Sequence, residues 1–200
     1  MNSLNGLVLV GGKSRRMKKD KALLNYHGKP QYVAIYDLLA KFCSGVFISC
    51  RNEQTNLIAE NYAKIFDHQD FSDIGPLAGI LSAFKKYPEN PWLILACDLP
   101  FVNEEVLQLL ISKRNPSKMA IAFKSAADGL PEPLCAIYEP RGGETLLKFF
   151  QQAVFCPRNI LINSDIKLLE PFNKTILFNV NSPQEYRETL KALRRKGLKS

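Results

Sequence analysis

The sequence predicts a three-layer α/β/α fold, a mostly parallel sheet covered by helices on both sides. Two observations lead there. Short apolar runs alternate with segments whose apolar residues recur at helical spacing, the rhythm of successive βα units. The 200 residues are enough for one such core, and no repeat, low-complexity tract or linker divides them. Residues 1–200 are therefore read as a single domain.

In order, Leu7, Val8, Leu9 and Val10 form the first buried run, closed by Gly11 and Gly12. Tyr32, Ile35, Tyr36 and Leu39 fall at i, i+3, i+4 and i+7 behind Pro30, one apolar helix face. Val46 to Ile48 reads as a second strand, residues 52–63 as a more polar helix, and Lys64 to Phe66 as a third strand. Leu77, Ile80, Leu81 and Phe84 mark a helix ended by Pro88; Trp92 to Ala96 is a buried strand, followed by a helix bearing Val106, Leu109 and Leu110. Beyond residue 118 the pattern loosens. Met119 to Phe123 and Leu134 to Tyr138 read as strands around the turn-rich AADGLPEP, Thr145 to Gln152 as a helix, and Ile176 to Phe178 as a late strand. Ser182 and Pro183 open a last helix as N-cap and first residue, with Tyr186, Leu190 and Leu193 inward.

The composition narrows the function classes. Hydrophobic residues at 46% and charged ones at 23% are ordinary for a globular protein. No run has the length of a membrane span and residues 1–10 lack a signal-peptide pattern, so a cytoplasmic location and no membrane partner are expected. Five cysteines, odd in number and without a C-x-x-C pair, argue against a disulfide framework or a zinc site. The net charge of +8 suits anionic substrates or nucleic acid. Part of it lies in the C-terminal cluster Lys191, Arg194, Arg195, Lys196 and Lys199, read as a solvated helix end. Nucleic acid is disfavoured because the cationic loop after the first strand carries no aromatic before Tyr26.

That loop is the strongest signal. After Gly11 and Gly12 come Lys13, Arg15, Arg16, Lys18, Lys19 and Lys21 within nine residues. A strand, a glycine turn and converging cations make a phosphate site, through backbone N–H groups and Lys/Arg heads. The spacing matches neither the Walker A loop nor the dinucleotide fingerprint. Because ligands in open α/β sheets sit beyond the carboxyl ends of strands, the residues following each predicted strand become candidates. Asp98, fixed by Pro100, suits a magnesium ion shared with phosphates and equally suits a cap on the next turn. Asp67 suits a nucleotide's base or ribose and, alone, is more simply a turn residue. Asn179 and Asn181 share a face if the strand continues. Gly75 and Gly79 leave room for a flat base, though close helix packing explains them equally well. No Ser-His-Asp or Cys-His set is placed to act, which leaves phosphoryl or nucleotidyl transfer by charge neutralisation.

GGKSRRMKKDKALL, GPLAGI, CDLPFV and NVNSPQE, in this order, resemble the molybdenum cofactor guanylyltransferases over nearly the whole chain. The resemblance implies a Rossmann-like fold of the nucleotide-diphospho-sugar transferase type, Mg²⁺ dependence, and transfer of GMP from GTP to the phosphate of Mo-molybdopterin with release of pyrophosphate. It implies GTP binding by Leu9, Val10, Gly11, Gly12 and Lys21, by Asp67, by Gly75, Pro76 and Leu77, and by Asp98. Lys21, Arg16 and Asp98 would be catalytic, Asp98 the metal ligand, and Asn179 and Asn181 the pterin-side contacts. Transient contact with other proteins of the same cofactor's biosynthesis goes with that role. Two positions depart from the family pattern. Lys18 stands where glycine is usual, and Glu132 where His or Gln is common, an acid expected to weaken an anionic contact. The open alternatives are a related transferase using CTP, another NTP or a sugar-phosphate acceptor, and a non-catalytic nucleotide- or nucleic-acid-binding protein.

Overall fold

Seven strands form one sheet in the order β3-β2-β1-β4-β6-β5-β7. They appear in a computed structural model that describes residues 3–10 and 20–195. The first half follows the βα rhythm: β1 (Asn5–Leu9), α1 (Gln31–Ala40), β2 (Gly45–Cys50), β3 (Lys64–Phe66), α2 (Pro76–Lys86), β4 (Trp92–Ala96) and α3 (Glu104–Ser112). Strands β1 to β4 are mutually parallel where they pair. The chain moves outward from β1 to β2 and β3, then returns to place β4 on the other side of β1. This reversal makes the crevice beyond β1 and β4 a topological switch point, where open α/β sheets bind ligands.

The second half comprises β5 (Ala120–Lys124), β6 (Pro131–Tyr138), α4 (Pro140–Gln151), α5 (Pro157–Ile162), β7 (Ile166–Leu169) and α6 (Pro183–Arg195). Here β6 runs antiparallel to both β4 and β5, while β5 and β7 pair in parallel, so the sheet is mixed but mostly parallel, as expected. The physical reason for the antiparallel run is the short turn at residues 125–130, where Ser125 N–H donates to Leu130 O at 2.8 Å: it is too short for a parallel crossover. Strand β6 also starts three residues earlier than expected, because Pro131 and Pro133 lie at its entry, where a missing N–H is tolerated.

Alternation along the strands separates two cores. Val8, Ile48, Leu93, Leu95, Ile121 and Ile137 pack against α1 and α3, through Ile35, Leu39, Val106 and Leu110. Leu7, Leu9, Trp92, Ile94 and Ala136 pack against Ile80 and Phe84 of α2, Leu146 of α4 and Ile160 of α5. The three expected layers follow directly. Glycines let α4 sit close: a Cβ on Gly142 would lie 2.7 Å from Met119 O.

Three local expectations are corrected. Residues 52–63 give only a short 3₁₀ turn, Asn52–Leu57. The helix read from Thr145 begins at Pro140, whose ring suits a first helical position. Ile176 to Phe178 is not a strand but a run of tight turns, with Ile176 N–H on Asn173 O (3.3 Å) and Phe178 N–H on Thr175 O (3.1 Å). A three-residue apolar run records burial without specifying strand or turn. The seventh strand is instead β7, an edge strand whose side chains are mostly half-exposed. The last helix starts as expected, with Ser182 Oγ accepting from Glu185 N–H (3.2 Å) and Glu185 Oε2 accepting from Ser182 N–H (2.9 Å). Among the described residues no helix is long and apolar enough to cross a membrane.

Candidate active site

The carboxyl ends of β1, β2 and β4 open onto a cavity of about 380 Å³. Leu9, Val10, Lys21, Asp67, Gly75, Pro76 and Asp98 all line it, bringing together most of the residues singled out from sequence. Gly11, Gly12 and Arg16 lie outside the described residues, as do Lys13, Arg15, Lys18 and Lys19. Leu77 does not reach the cavity with its side chain, which is fully buried beneath α2.

The wall on the α2 side is shaped by two glycines. Gly75 precedes α2 at φ 68° and ψ −144°, backbone that only glycine adopts without strain. Gly79 sits one turn in, where a Cβ would overlap the Ser49 hydroxyl and come within 3.1 Å of Leu9 Cδ2. Its missing side chain lets the start of α2 lie directly on the ends of β1 and β2.

Asp67 follows β3 and is held by its N–H on Cys50 O at 3.3 Å. Burial raises its carboxyl above the usual aspartate range, partly countered by the Arg51 guanidinium and a hydrogen bond from Ser49. Arg51 itself donates to Glu53 Oε1 at 2.9 Å on the cavity's rim. A half-buried carboxylate beside a guanidinium on the cavity lining suits the N–H groups and carbonyl of a nucleotide base.

Asp98 stands at the end of β4. Its backbone carbonyl accepts from Val180 N–H at 2.9 Å, and its Oδ2 accepts from Lys21 Nζ at 3.1 Å. The capping alternative is settled by Asn103, whose Oδ1 accepts from Val106 N–H at 3.1 Å and starts α3. Asp98 Oδ1 is buried with no hydrogen-bond partner among the described residues. Such an orphaned oxygen is costly unless a ligand takes it up, and carboxylate oxygen is the donor magnesium prefers. No three of His, Cys, Asp and Glu converge on one point among the described residues.

Lys21 is anchored at its root. It opens a 3₁₀ turn, Lys21–Leu23, capped by Asp20, whose Oδ1 accepts from Ala22 N–H at 3.0 Å. The other Asp20 oxygen accepts from Gln54 Nε2 at 2.9 Å, and Gln54 Oε1 in turn accepts from Arg51 N–H at 3.2 Å. Asp20 was legible as a cap immediately before KALL; nothing in the sequence singles out Gln54. At its head, Lys21 also donates to Asn181 Oδ1 at 2.6 Å.

Asn179 lies on the other flank, hydrogen-bonded to Glu132. Glu132 is buried, accepting from Leu134 N–H at 3.1 Å and from Arg158 Nη2 at 3.2 Å. Arg158 reaches on to Asp128 Oδ2 at 3.1 Å. Burial raises the Glu132 carboxyl, and the charge of Asp98 raises it further, against the pull of Leu134 N–H and Arg158. The acid that departs from the family pattern is thus a paired acid, not a bare charge facing an anion.

A family model described as a MobA-like NTP transferase domain matches residues 6–163. The chain is 42% identical over 184 residues to a "Molybdenum cofactor biosynthesis bifunctional protein" of Synechocystis, covering 92% of this chain but only about half (52%) of that relative. A Nostoc protein named "Probable molybdenum cofactor guanylyltransferase" is 31% identical, with 92% of this chain and 89% of the relative covered. Among solved structures, molybdopterin-guanine dinucleotide biosynthesis protein A of Archaeoglobus fulgidus superposes with a TM-score of 0.77 at 23% identity, over 96% of this chain and 99% of that one. A CMP-2-keto-3-deoxy-manno-octonic acid synthetase bound to CTP shares the fold with a TM-score of 0.67 at 14% identity, over 97% and 98%. At these identities the two likenesses show a shared fold.

Proposed function

The chain belongs to the MobA-like NTP transferase family, and from that premise we propose that it transfers GMP from GTP to the phosphate of Mo-molybdopterin. The observation that carries the reading is the Lys21–Asp98 pair at the switch point, with one Asp98 oxygen left without a partner among the described residues. An ammonium and a hard carboxylate side by side, above a cavity of nucleotide size, suit a triphosphate.

In the reaction, an oxygen of the acceptor phosphate attacks the α-phosphorus of GTP. A new P–O bond forms as the bond to the β-phosphate oxygen breaks, and pyrophosphate leaves. The acceptor is already an anion, so no general base is required. Positioning and charge neutralisation supply the rate. Lys21, and Arg16 earlier in the same cationic loop, would offset charge on the α-phosphate and the departing pyrophosphate. Asp98 would hold Mg²⁺, which when bound neutralises phosphate charge. Asp67, Gly75 and Pro76 would receive the guanosine, and Asn179, backed by Glu132, would face the acceptor. A cytoplasmic location, where GTP is available, and passing contact with other proteins of the same cofactor's biosynthesis go with this role.

The test is a thermal-shift comparison of GTP, CTP, ATP and UTP with Mg²⁺, followed by turnover with molybdopterin. Selective stabilisation by GTP is expected in the native chain and not in Asp98→Asn, which should keep its fold and lose at least about a hundredfold in turnover. Stabilisation led by CTP would discard the guanylyl assignment. Near-normal turnover by Asp98→Asn would remove the metal assignment.

A further inference from the structure

We infer that Asn181 is a positioning residue for Lys21, and that the C-terminal segment 179–185 thereby completes the phosphate-handling end of the site. The inference rests on the proposed nucleotidyl transfer, but goes against the pterin-side role that sequence resemblance assigns to Asn181. This segment lies beyond residues 6–163, the part matched by the family model.

The geometry is direct. Lys21 Nζ donates to Asn181 Oδ1 at 2.6 Å and to Asp98 Oδ2 at 3.1 Å, and the shorter bond is to the amide. A lysine head sits on a flexible four-carbon stem, so one partner leaves it room to swing. Two acceptors restrict that swing more than one. Among the described residues they account for two of the three N–H groups of the ammonium.

Asn181 is itself held. Its backbone N–H donates to Glu185 Oε2 at 2.7 Å, and the same oxygen accepts from Ser182 N–H. The preceding residue, Val180, is fully buried with Leu24, Tyr26 and Leu193, and its N–H is bonded to Asp98 O. The 179–182 segment is thus fastened both to the end of β4 and to the first turn of α6. Tyr186 Oη donates to Asn25 O at 2.9 Å, tying the same helix to the chain just after Lys21.

The choice of an amide has a chemical reason. A neutral acceptor fixes the ammonium without cancelling its charge, which stays available to phosphate oxygens. If Asp98 turns an oxygen to a cation, Asn181 remains as the partner that keeps Lys21 in place.

The experiment uses the full chain as Asn181→Ala, Lys21→Ala and the double variant. Asn181 is exposed, so its truncation leaves packing intact. With saturating Mg-GTP and molybdopterin, Asn181→Ala is expected to lower kcat about ten- to a hundredfold, the worth of one hydrogen bond to a charged group. KM for both substrates should stay within about threefold. In the Lys21→Ala background the same truncation should cost little, because a residue acting through Lys21 has nothing left to position. A rise in molybdopterin KM with kcat unchanged, or losses that multiply in the double variant, would overturn the inference in favour of direct acceptor contact.

A second readout needs no substrate: the ¹³C–¹H signal of Lys21 Cε, assigned by its absence in Lys21→Ala. It should move toward the position of solvent-exposed lysines in Asn181→Ala. If it does not move, Asn181 does not position Lys21. Should the native chain fail to turn over GTP, the proposed function falls while this signal still decides the inference.

Discussion

Replacing Gly79 by alanine tests whether close approach of α2 to the strand ends builds the nucleotide cavity. The added Cβ would overlap the Ser49 hydroxyl and sit 3.1 Å from both Ser49 Cβ and Leu9 Cδ2. Ser49 is 3% exposed and its hydroxyl is bonded to Asp67, a bond it gives up if it turns away. Overpacking of this kind costs about 1–3 kcal/mol, and alanine returns roughly 0.5–1 kcal/mol as a better helix former than glycine. The net loss is up to about 2.5 kcal/mol, a fall in melting temperature of up to roughly 10 °C at this chain length. The assay is calorimetry of Gly79→Ala, Ser49→Ala and the double variant, with GTP affinity measured on each. Removing the Ser49 hydroxyl relieves the worst overlap, so the two substitutions should couple favourably by about 0.5 kcal/mol or more. GTP affinity should fall in Gly79→Ala, because Gly75 and Pro76 move with the start of α2. A Gly79→Ala chain that melts at or above the native temperature and binds GTP equally well would refute the close-approach argument.

Two further substitutions probe charge. Arg114 Nε and Nη2 grip Glu139 at 2.7 and 2.8 Å, the glutamate side chain being 3% exposed. Arg114→Met strands that carboxylate and should cost about 3–5 kcal/mol; a melting temperature within about 2 °C of native would contradict it. Asp67→Asn should stabilise the chain while weakening GTP binding. The Asp67 carboxyl is raised by folding, so the native state resists ionising it and its contribution turns against folding as pH rises through that raised value. The variant should therefore melt higher than native near pH 8 and converge with it below about pH 4, where both states hold the proton. A stability gain that grows toward acid would reverse the sign and rule out burial as the cause.

Much of the fold was legible because period and burial speak with one voice in the first half. The runs of β1 and β4 are buried on both faces, and the helix stripes of α1, α2 and α3 have clear spacing. In the second half the same rules gave a weaker signal. Residues 176–178 read as a strand while β7 drew no reading, because a buried turn can be more apolar than a half-exposed edge strand. The antiparallel run of β6 was hinted at only by the shortness of the turn before it. At the site, Asp98, Lys21 and Asp67 stood out because strand ends and charge point to them. Gln54 and Arg158 did not, since their partners Asp20 and Glu132 lie 34 and 26 residues away along the chain.

By itself, then, the sequence determined the α/β class, the two-sided core, the residues offered at the strand ends and the family. Local periodicity and short motifs suffice for these, because they depend on neighbours along the chain. The tertiary structure alone decided the direction of β6, the pairing that turns Glu132 into a supporting acid, and the bond from Asn181 to Lys21 across 160 residues. Hydrogen bonds and ion pairs are short-ranged and directional, so a partner far along the chain leaves no mark on spacing.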